Sequence, residues 1–183
     1  GAIHVFELNG SELVETATLC ATHARASDQF GTSVDTYGDV IVAGARQEDG
    51  SGYACIFCRE SEQPNRWRQV QRLEMSGTTR RARFGSSVAT WGDTIVVGAM
   101  GHSFGKGEQR VVGAGSVSVF QRENNEWKLV QRLLSPEPKP LHHFGYSVAI
   151  EYDTIVASKF THHHNGDDVA AYRFTRQGGG DRT

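Results

Sequence analysis

The sequence has few cysteines, no long apolar run and no excess of basic charge. Its 183 residues include three cysteines, which are too few, and odd in number, for a fold framed by disulfides. The longest apolar runs, such as DTIVVGAM, have the length of a strand, whereas a membrane-spanning helix needs about 18 or more apolar residues. The formal net charge is −2 and the basic residues are scattered, without the clustered basic face of a nucleic-acid binder. We therefore expect no membrane span and no nucleic-acid partner.

Two of the cysteines, Cys55 and Cys58, stand in the motif CIFC, which resembles half a zinc site or a redox dithiol. The motif lies in the alternating run GYACIFCRE, and residues three apart point to opposite faces of a strand. A zinc site would need a second pair of ligands at matching spacing, and the sequence contains none. We interpret these two residues as ordinary strand cysteines, with redox chemistry as the alternative. The opening residues, GAIHVF, have no signal-peptide pattern, and the compartment is not predicted from them.

One phrase of sixteen residues occurs three times in the chain. It is FGTSVDTYGDVIVAGA from Phe30, FGSSVATWGDTIVVGA from Phe84 and FGYSVAIEYDTIVASK from Phe144, at periods of 54 and 60 residues. A second shared unit lies between the phrases. In each copy an apolar residue stands six positions before a leucine, and that leucine precedes the next Phe-Gly pair by eleven positions. The second unit begins at Gly1, Gly52 and Gly115, and its apolar and leucine positions are Leu13 and Leu19, Trp67 and Leu73, and Trp127 and Leu133.

Each unit is predicted to form four short antiparallel strands. The runs FGSSVAT and DTIVVGA are separated by WGD, and Gly-Asp between two β-rich runs is a hairpin signal because glycine tolerates positive φ. The runs GSVSVFQ and WKLVQRL flank the polar turn RENNE, whose counterpart in the first unit is Asn9-Gly10. Helical periodicity is absent. Four antiparallel strands recurring about every 50 to 60 residues are typical of propeller blades, so the predicted fold class is all-β.

The repeat predicts a partial, open propeller of about three four-stranded blades. The chain enters at the third strand of one blade, and DDVAAYRF supplies the third strand of the last, aligned with GSVSVF through Tyr172 and Phe120. Thirteen strands result from this count, whereas closed propellers have about 4 to 8 blades. The predicted propeller arc covers residues 1–174, with blade units at about 1–29, 30–83, 84–143 and 144–174, and residues 175–183 form a polar tail.

The recurring residues are interpreted as packing positions between blades. The phenylalanines act as wedges, the glycine after each permits close backbone approach, and the small residues at the end of the second strand lie where blades converge. In the third unit Ser158 and Lys159 replace the small pair, so that blade is degenerate or terminal. The residues that define the repeat are Phe30, Gly31, Phe84, Gly85, Phe144, Gly145, Gly44, Gly98, Trp67 and Trp127.

The phrases FGSSV, GDTIVVGA, GSVSVF and WKLVQRL resemble the FG-GAP repeat, the blade unit of the integrin alpha-subunit propeller. They are more similar still to the variant that occurs in tandem in bacterial and algal secreted or surface proteins. The resemblance covers about residues 1–174. It implies a non-enzymatic binding or adhesion module and favours an extracellular or cell-surface location.

The resemblance also raises calcium binding, which the family often places in Asp-x-Asp/Asn-x-Asp-Gly loops between the second and third strands. Here those loops are RQEDGSG, MGHSFGKGEQRVVGAG and FTHHHNGDD. None of them supplies alternating oxygen ligands followed by glycine. We therefore expect no calcium, no other metal and no cofactor.

Loops that break the repeat are the candidate partner-binding sites, because loops carry specificity on rigid scaffolds. The chief candidate is GHSFGKGEQRVVGAG, which lengthens one period from 54 to 60 residues. Its Gly-Lys pair lacks the spacing and the helix of a phosphate loop. The run of three histidines suits a transition metal, although solvated loop histidines explain it equally simply. The candidate contact residues are His102, Phe104, Lys106, Arg110, Arg46, Asp49, His162, His163 and His164.

The predicted function is protein–protein interaction or adhesion, as a structural subunit of a larger assembly or as part of a longer propeller. A carbohydrate-binding propeller is the alternative, based on Tyr37 and Trp91 at equivalent hairpin positions. No arrangement of serine, histidine and acid and no pair of carboxylates marks a catalytic centre, so an enzyme is not expected. Open end blades should be covered by further blades, a second copy or a different subunit. The isolated chain is therefore expected to be poorly soluble or to self-associate.

Overall fold

The computed structural model describes residues 1–77, 80–161 and 168–175, and within these ranges the chain is built from β-strands. One turn of 3-10 helix, Gly107–Gln109, lies among them. This confirms the predicted all-β class and the predicted number of strands. The strands are β1 (Ile3–Asn9), β2 (Glu12–Leu19), β3 (Phe30–Tyr37), β4 (Val40–Ala45), β5 (Tyr53–Glu60), β6 (Gln63–Leu73), β7 (Phe84–Trp91), β8 (Thr94–Ala99), β9 (Ser116–Glu123), β10 (Glu126–Leu133), β11 (Val148–Glu151), β12 (Thr154–Thr161) and β13 (Asp168–Thr175).

The strands form four antiparallel sheets that follow one another along the chain. The first sheet contains β1 and β2, the second β3 to β6, the third β7 to β10, and the fourth β11 to β13. Strands that pair in a sheet are consecutive in sequence, so each sheet is a meander of hairpins. In the described part of the chain no sheet closes on itself into a barrel. The architecture agrees with a partial, open propeller.

The second and third sheets have the same register. Val40 pairs with Cys58 in the second sheet, and Thr94 pairs with Gln121 in the third. Both sheets also carry a bulge in the last strand, at Val70 in β6 and at Val130 in β10. A bulge turns two successive side chains toward the same side of the strand. The second and third sheets are therefore equivalent even in the position of this bulge.

The last strand is shifted by two residues from the alignment expected from the sequence. Ile155 pairs with Phe174 in the same way that Ile95 pairs with Phe120. The counterpart of Phe120 is therefore Phe174, and the alignment through Tyr172 was wrong. A slip of two residues leaves the same strand face pointing inward, so the alternation of apolar residues does not distinguish the two alignments.

The core lies between successive sheets and forms three clusters. Phe30 belongs to the cluster between the first and second sheets, Phe84 to the next, and Phe144 to the cluster between the third and fourth. These three rings are at most 4% exposed. Phe84 meets Phe120 edge-on, and Phe144 meets Phe174 in the same way. Each repeated phenylalanine thus fills the space between its own sheet and the preceding one.

Backbone groups of neighbouring sheets come very close where the repeated glycines lie. Gly85 and Gly145 both have a φ of 85°, which L side chains rarely adopt. A Cβ on Gly44 would lie 2.0 Å from the carbonyl oxygen of Gly85, and one on Gly98 would lie 2.2 Å from that of Gly145. Glycine is required at these crossings because no side chain fits between the strands.

Candidate functional site

The long loop between β8 and β9, residues 100–115, is an ordered projection. Its two arms are joined by backbone hydrogen bonds between Phe104 and Val111 in both directions, at 3.3 and 2.9 Å. The 3-10 turn Gly107–Gln109 forms the tip. All residues from Gly105 to Arg110 are exposed. The tip of this loop, which is longer than the equivalent loop between β4 and β5, is therefore presented to solvent on a hydrogen-bonded stem.

An apolar and cationic surface surrounds this loop. The Leu141 N–H donates to the Val112 carbonyl oxygen at 2.8 Å, so the segment before the fourth sheet lines the base of the loop. The side chains of Val112 and Leu141 are about half exposed. Lys106 and Arg110 are exposed on the same loop. Protein–protein interfaces commonly have an apolar core and a polar rim.

His102 and Phe104 lie beneath the loop tip. His102 is buried, and its ring lies 5.8 Å from that of Phe104. Burial, together with the charge of Arg132, lowers the pKa of His102 to about 4. The imidazole is therefore neutral near pH 7. Its position makes it a support for the loop and leaves Lys106 and Arg110 as the exposed contact candidates.

The other candidate residues lie in different places. The Arg46 side chain donates to Gln29 Oε1 at 2.7 Å and to Glu48 Oε1 at 3.3 Å. Asp49 is exposed in the loop between β4 and β5 and faces Arg81 at 3.5 Å. The Arg81 N–H donates to the Gly50 carbonyl oxygen at 2.8 Å, and the Gly101 N–H donates to the Ala82 carbonyl oxygen at 3.0 Å, so residues 81 and 82 lie between this loop and the base of the 100–115 loop. His162, His163 and His164 lie outside the described residues.

A row of aromatic rings crosses the hairpin ends of three sheets. Trp91 lies between Tyr37 and Tyr152, with ring centroids 4.8 and 4.9 Å away. Tyr37 and Trp91 occupy equivalent hairpin positions, as the sequence indicated. Tyr152 is shifted by one position in the repeat and is 72% exposed. The row therefore joins the sheets and also leaves aromatic surface open to solvent.

Two tryptophans bridge successive sheets from the fourth strand. Trp67 of the second sheet packs against the first sheet, and Trp127 of the third sheet packs against the second. The Gln71 side-chain amide holds the backbone of Trp127. Its NH2 donates to the Trp127 carbonyl oxygen, and Gln71 Oε1 accepts from the Trp127 N–H, both at 2.8 Å. The tryptophans were predicted from the sequence as residues of the repeat, whereas Gln71 was not, although Gln131 stands at the equivalent position of β10.

A buried carboxylate, Asp28, organises the segment before β3. It is 4% exposed and accepts hydrogen bonds from the Arg25 N–H, the Gln47 side chain and the Tyr53 hydroxyl. The Arg72 guanidinium lies over the Tyr53 ring at 3.5 Å. This network was not predicted from the sequence, because Ala82 stands at the position of Asp28 in the next unit.

The ionisation of these groups follows from their neighbours. Burial alone raises the pKa of Asp28, but the hydrogen bonds from Arg25, Gln47 and Tyr53 outweigh it and leave the pKa below its usual value. Burial and the bond to Asp28 raise the pKa of the Tyr53 phenol. Asp28 is thus an anion and Tyr53 a neutral donor near pH 7, as a structural hydrogen bond requires.

The CIFC cysteines point to opposite sides of the second sheet. Cys55 lies in the core shared with the first sheet, and Cys58 lies against the core shared with the third. Burial raises the pKa of Cys55 to about 11 and raises that of Cys58. A thiol with a raised pKa is a poor nucleophile and metal ligand near neutral pH. The arrangement agrees with ordinary strand cysteines.

In the described ranges, no three His, Cys, Asp or Glu side chains are grouped as a metal site. The same ranges contain no helix of the length and apolarity that a membrane crossing needs.

A comparison with protein-family models finds one match. The model of the FG-GAP repeat matches residues 13–57 and residues 67–120, which together make up more than half of the chain. The two matches cover most of the second sheet and most of the third. No curated protein matches the chain.

Proposed function

Because the chain belongs to the FG-GAP repeat family, we propose that it is a non-catalytic protein-interaction module, either for adhesion or as a structural subunit of an assembly. Its contact surface is centred on the loop of residues 100–115. The observation that carries the proposal is that this loop departs from the repeat and is nevertheless ordered. Loops on a rigid sheet scaffold can vary in sequence without loss of the fold.

The loop has the chemistry of a protein contact. Val112 and Leu141 offer apolar area at its base, and Lys106 and Arg110 offer positive charge beside it. Apolar contacts supply most of the affinity of such surfaces, while rim charges steer association and set partner choice. A partner with an acidic rim around an apolar centre fits this surface.

A charge reversal tests the proposal. The double variant Lys106→Glu with Arg110→Glu should lose binding to the partner by about tenfold or more, since like charges across an interface oppose association. The measurement is quantitative mass spectrometry of proteins retained by the immobilised chain, followed by a titration of the retained partner. The matched control is Arg66→Glu with Arg68→Glu, which changes the same charge on exposed positions of β6. Equal retention by both double variants would remove the loop from the contact surface.

Carbohydrate binding is a second candidate, and the row of Tyr37, Trp91 and Tyr152 favours it. Exposed aromatic faces at equivalent positions of successive sheets can stack on successive sugar rings. However, Trp91 already packs against both tyrosines, which reduces the free ring area. A glycan-array signal that disappears in both Tyr37→Ala and Trp91→Ala would support this candidate, and an array without signal for the unaltered chain would reject it.

A further inference from the structure

A cavity of about 460 Å³ opens between the third and fourth sheets. The third sheet contributes one wall from β8, β9 and β10, and the fourth sheet contributes the other, which includes Ile155 and Phe174. The wall residues of the third sheet are Thr94, Val119, Gln121, Val130, Gln131 and Leu133.

In the second sheet, the six positions equivalent to these wall residues lie beside Trp127 of the third sheet. The register of the strands makes them equivalent, since Val40 pairs with Cys58 as Thr94 pairs with Gln121, and Ile56 pairs with Gln71 as Val119 pairs with Gln131. Five of the six lie in one core cluster with Trp127. The equivalents in the second sheet are Val40, Ile56, Cys58, Val70, Gln71 and Leu73.

The opposite wall is equivalent as well. Ile155 and Phe174 correspond through their pairing to Ile95 and Phe120, which share a core cluster with Trp127. Ile95 and Phe120 are buried, whereas Ile155 and Phe174 are both partly exposed. The cavity therefore has both walls of a tryptophan socket, and within the described residues no indole fills it.

The polar group that would hold the tryptophan backbone is also in place. Gln71 makes two hydrogen bonds to the backbone of Trp127, and its side chain is partly buried. Its counterpart Gln131 lines the cavity and is exposed. Its side-chain amide makes no hydrogen bond to any described residue. An extended backbone placed beside it would satisfy both the amide NH2 and the amide oxygen.

The backbone edge beside the cavity is open in the described structure. In the two complete sheets β6 pairs with β5, and β10 pairs with β9. In the fourth sheet β13 is the counterpart of β5 and β9. It pairs with β12 on one side, and no described strand lies on its other side.

We propose that this groove is a strand-acceptor site. It binds an extended peptide segment of a partner polypeptide, antiparallel to β13, with a tryptophan in the cavity and its backbone bonded to Gln131. Strand addition supplies affinity through main-chain hydrogen bonds and specificity through a side-chain pocket. The eight residues 176–183, RQGGGDRT, contain no apolar side chain, so the tryptophan comes from a segment other than these. The inference rests on the proposed interaction function but uses a different face from the 100–115 loop.

A peptide copied from β10 tests the acceptor site directly. The labelled peptide ENNEWKLVQRLL, which has the sequence of residues 123–134, is titrated with the full 183-residue chain by fluorescence anisotropy. We expect saturable binding. The same peptide with alanine in place of tryptophan should bind at least about tenfold more weakly, because a buried indole is a typical interface anchor. Equal affinity of the two peptides, or no binding by a chain with an intact thermal transition, would overturn the proposal.

Two neighbouring residues of β10 provide a matched pair of variants. Val130 is 50% exposed and lines the cavity, whereas Leu129 is 47% exposed and does not. Val130→Arg should abolish peptide binding because it fills the socket with a charged side chain. Leu129→Arg should leave the affinity within about twofold, since surface changes outside the contact are near neutral. Peptide binding that survives Val130→Arg would refute the acceptor site.

Two further measurements separate this inference from its alternatives. The chain with Lys106→Glu and Arg110→Glu should bind the peptide as the unaltered chain does, so loss of the loop contact and loss of the strand contact are distinguished. Sedimentation velocity of the chain without peptide tests a second copy as the occupant. Self-association that Val130→Arg removes, and that the peptide dissociates, would show that a second copy fills the groove and would overturn binding of a partner segment.

Discussion

The carboxylate of Asp28 has three hydrogen-bond donors around it and almost no access to water. We expect Asp28→Ala to lower the free energy of unfolding by about 2 to 3 kcal/mol, because the buried donors of Tyr53 and Gln47 lose their acceptor. Urea denaturation followed by circular dichroism measures the change. The control is Asp49→Ala, whose side chain is 84% exposed and pairs only with an exposed arginine, and it should change stability by less than about 0.5 kcal/mol.

Burial of His102 predicts a pH dependence of stability. The pKa is about 4 in the folded chain and 6.5 in the reference state, so between these values the unfolded chain binds more protons. Stability therefore falls as the pH decreases from about 6.5 to about 4, by up to about 3 kcal/mol for this group. The contribution of Asp28, whose pKa is lowered, is lost at still lower pH.

Urea midpoints between pH 7 and pH 4.5 test this prediction. In His102→Gln the decrease should be smaller than in the unaltered chain. An identical slope in His102→Gln and the unaltered chain would show that His102 does not titrate in this range.

At the residue scale, the sequence predicted the recurring phenylalanines and glycines and missed Asp28, which occurs once. The three phenylalanines and the glycines beside them stand at equal spacings, and a position that recurs in every unit is one that every interface needs. Asp28 has an alanine and a histidine at the equivalent positions Ala82 and His142, so no spacing marks it. Its burial depends on Tyr53 and Gln47, which reach it only after the second sheet has formed.

At the scale of the strands, Gln71 of β6 and Gln131 of β10 occupy equivalent positions but have different surroundings. The Gln71 side chain bonds to the backbone of the next sheet, and the Gln131 side chain makes no hydrogen bond to a described residue. We expect Gln71→Ala to lower the free energy of unfolding by about 1 to 2 kcal/mol through the loss of two hydrogen bonds, and Gln131→Ala to change it by less than about 0.5 kcal/mol. Thermal or urea unfolding of the two variants side by side is the measurement. Equal costs would mean that the bridge to Trp127 adds no stability.

The hairpins were predictable from local chemistry, but the register of the last strand was not. Turn residues fix where β7 ends and β8 begins, because Gly92 must adopt positive φ. In β13 the residues Tyr172 and Phe174 both face the core beside Phe144. Which of them is equivalent to Phe120 depends on backbone pairing with β12. The alternation of side chains along a strand does not contain that information.

At the scale of the whole molecule, the absence of acidic loop motifs predicts that folding does not depend on calcium. Addition of EDTA should leave the melting temperature within about 1 °C, since a ligand that binds only the folded state would raise it measurably. Differential scanning fluorimetry with EDTA, and then with excess calcium, measures this. A fall of several degrees with EDTA that calcium reverses would contradict the prediction and direct attention to the loops between second and third strands.

The architecture as a whole was the most predictable level. A single four-stranded sheet cannot bury both faces alone, so a repeated pattern of apolar strands implies sheets stacked in series. The strand number, the meander connectivity and the open arc follow from that argument. The socket beside Gln131 does not, because it is defined by the third and fourth sheets together and becomes visible only when one interface is superposed on the next.

The stacking of the sheets also predicts the order in which they open and exchange their amide protons with solvent. Contacts between sheets run from the first to the second, from the second to the third and from the third to the fourth, and only the second and third sheets have four described strands and a neighbour on each side. In such a linear array the outer units open more often than the inner ones. Amide protons of β4, β5, β8 and β9 should therefore be the last to exchange with deuterium. The chain would lose its structure from its two flanks toward Phe84, which lies where the two most protected sheets meet.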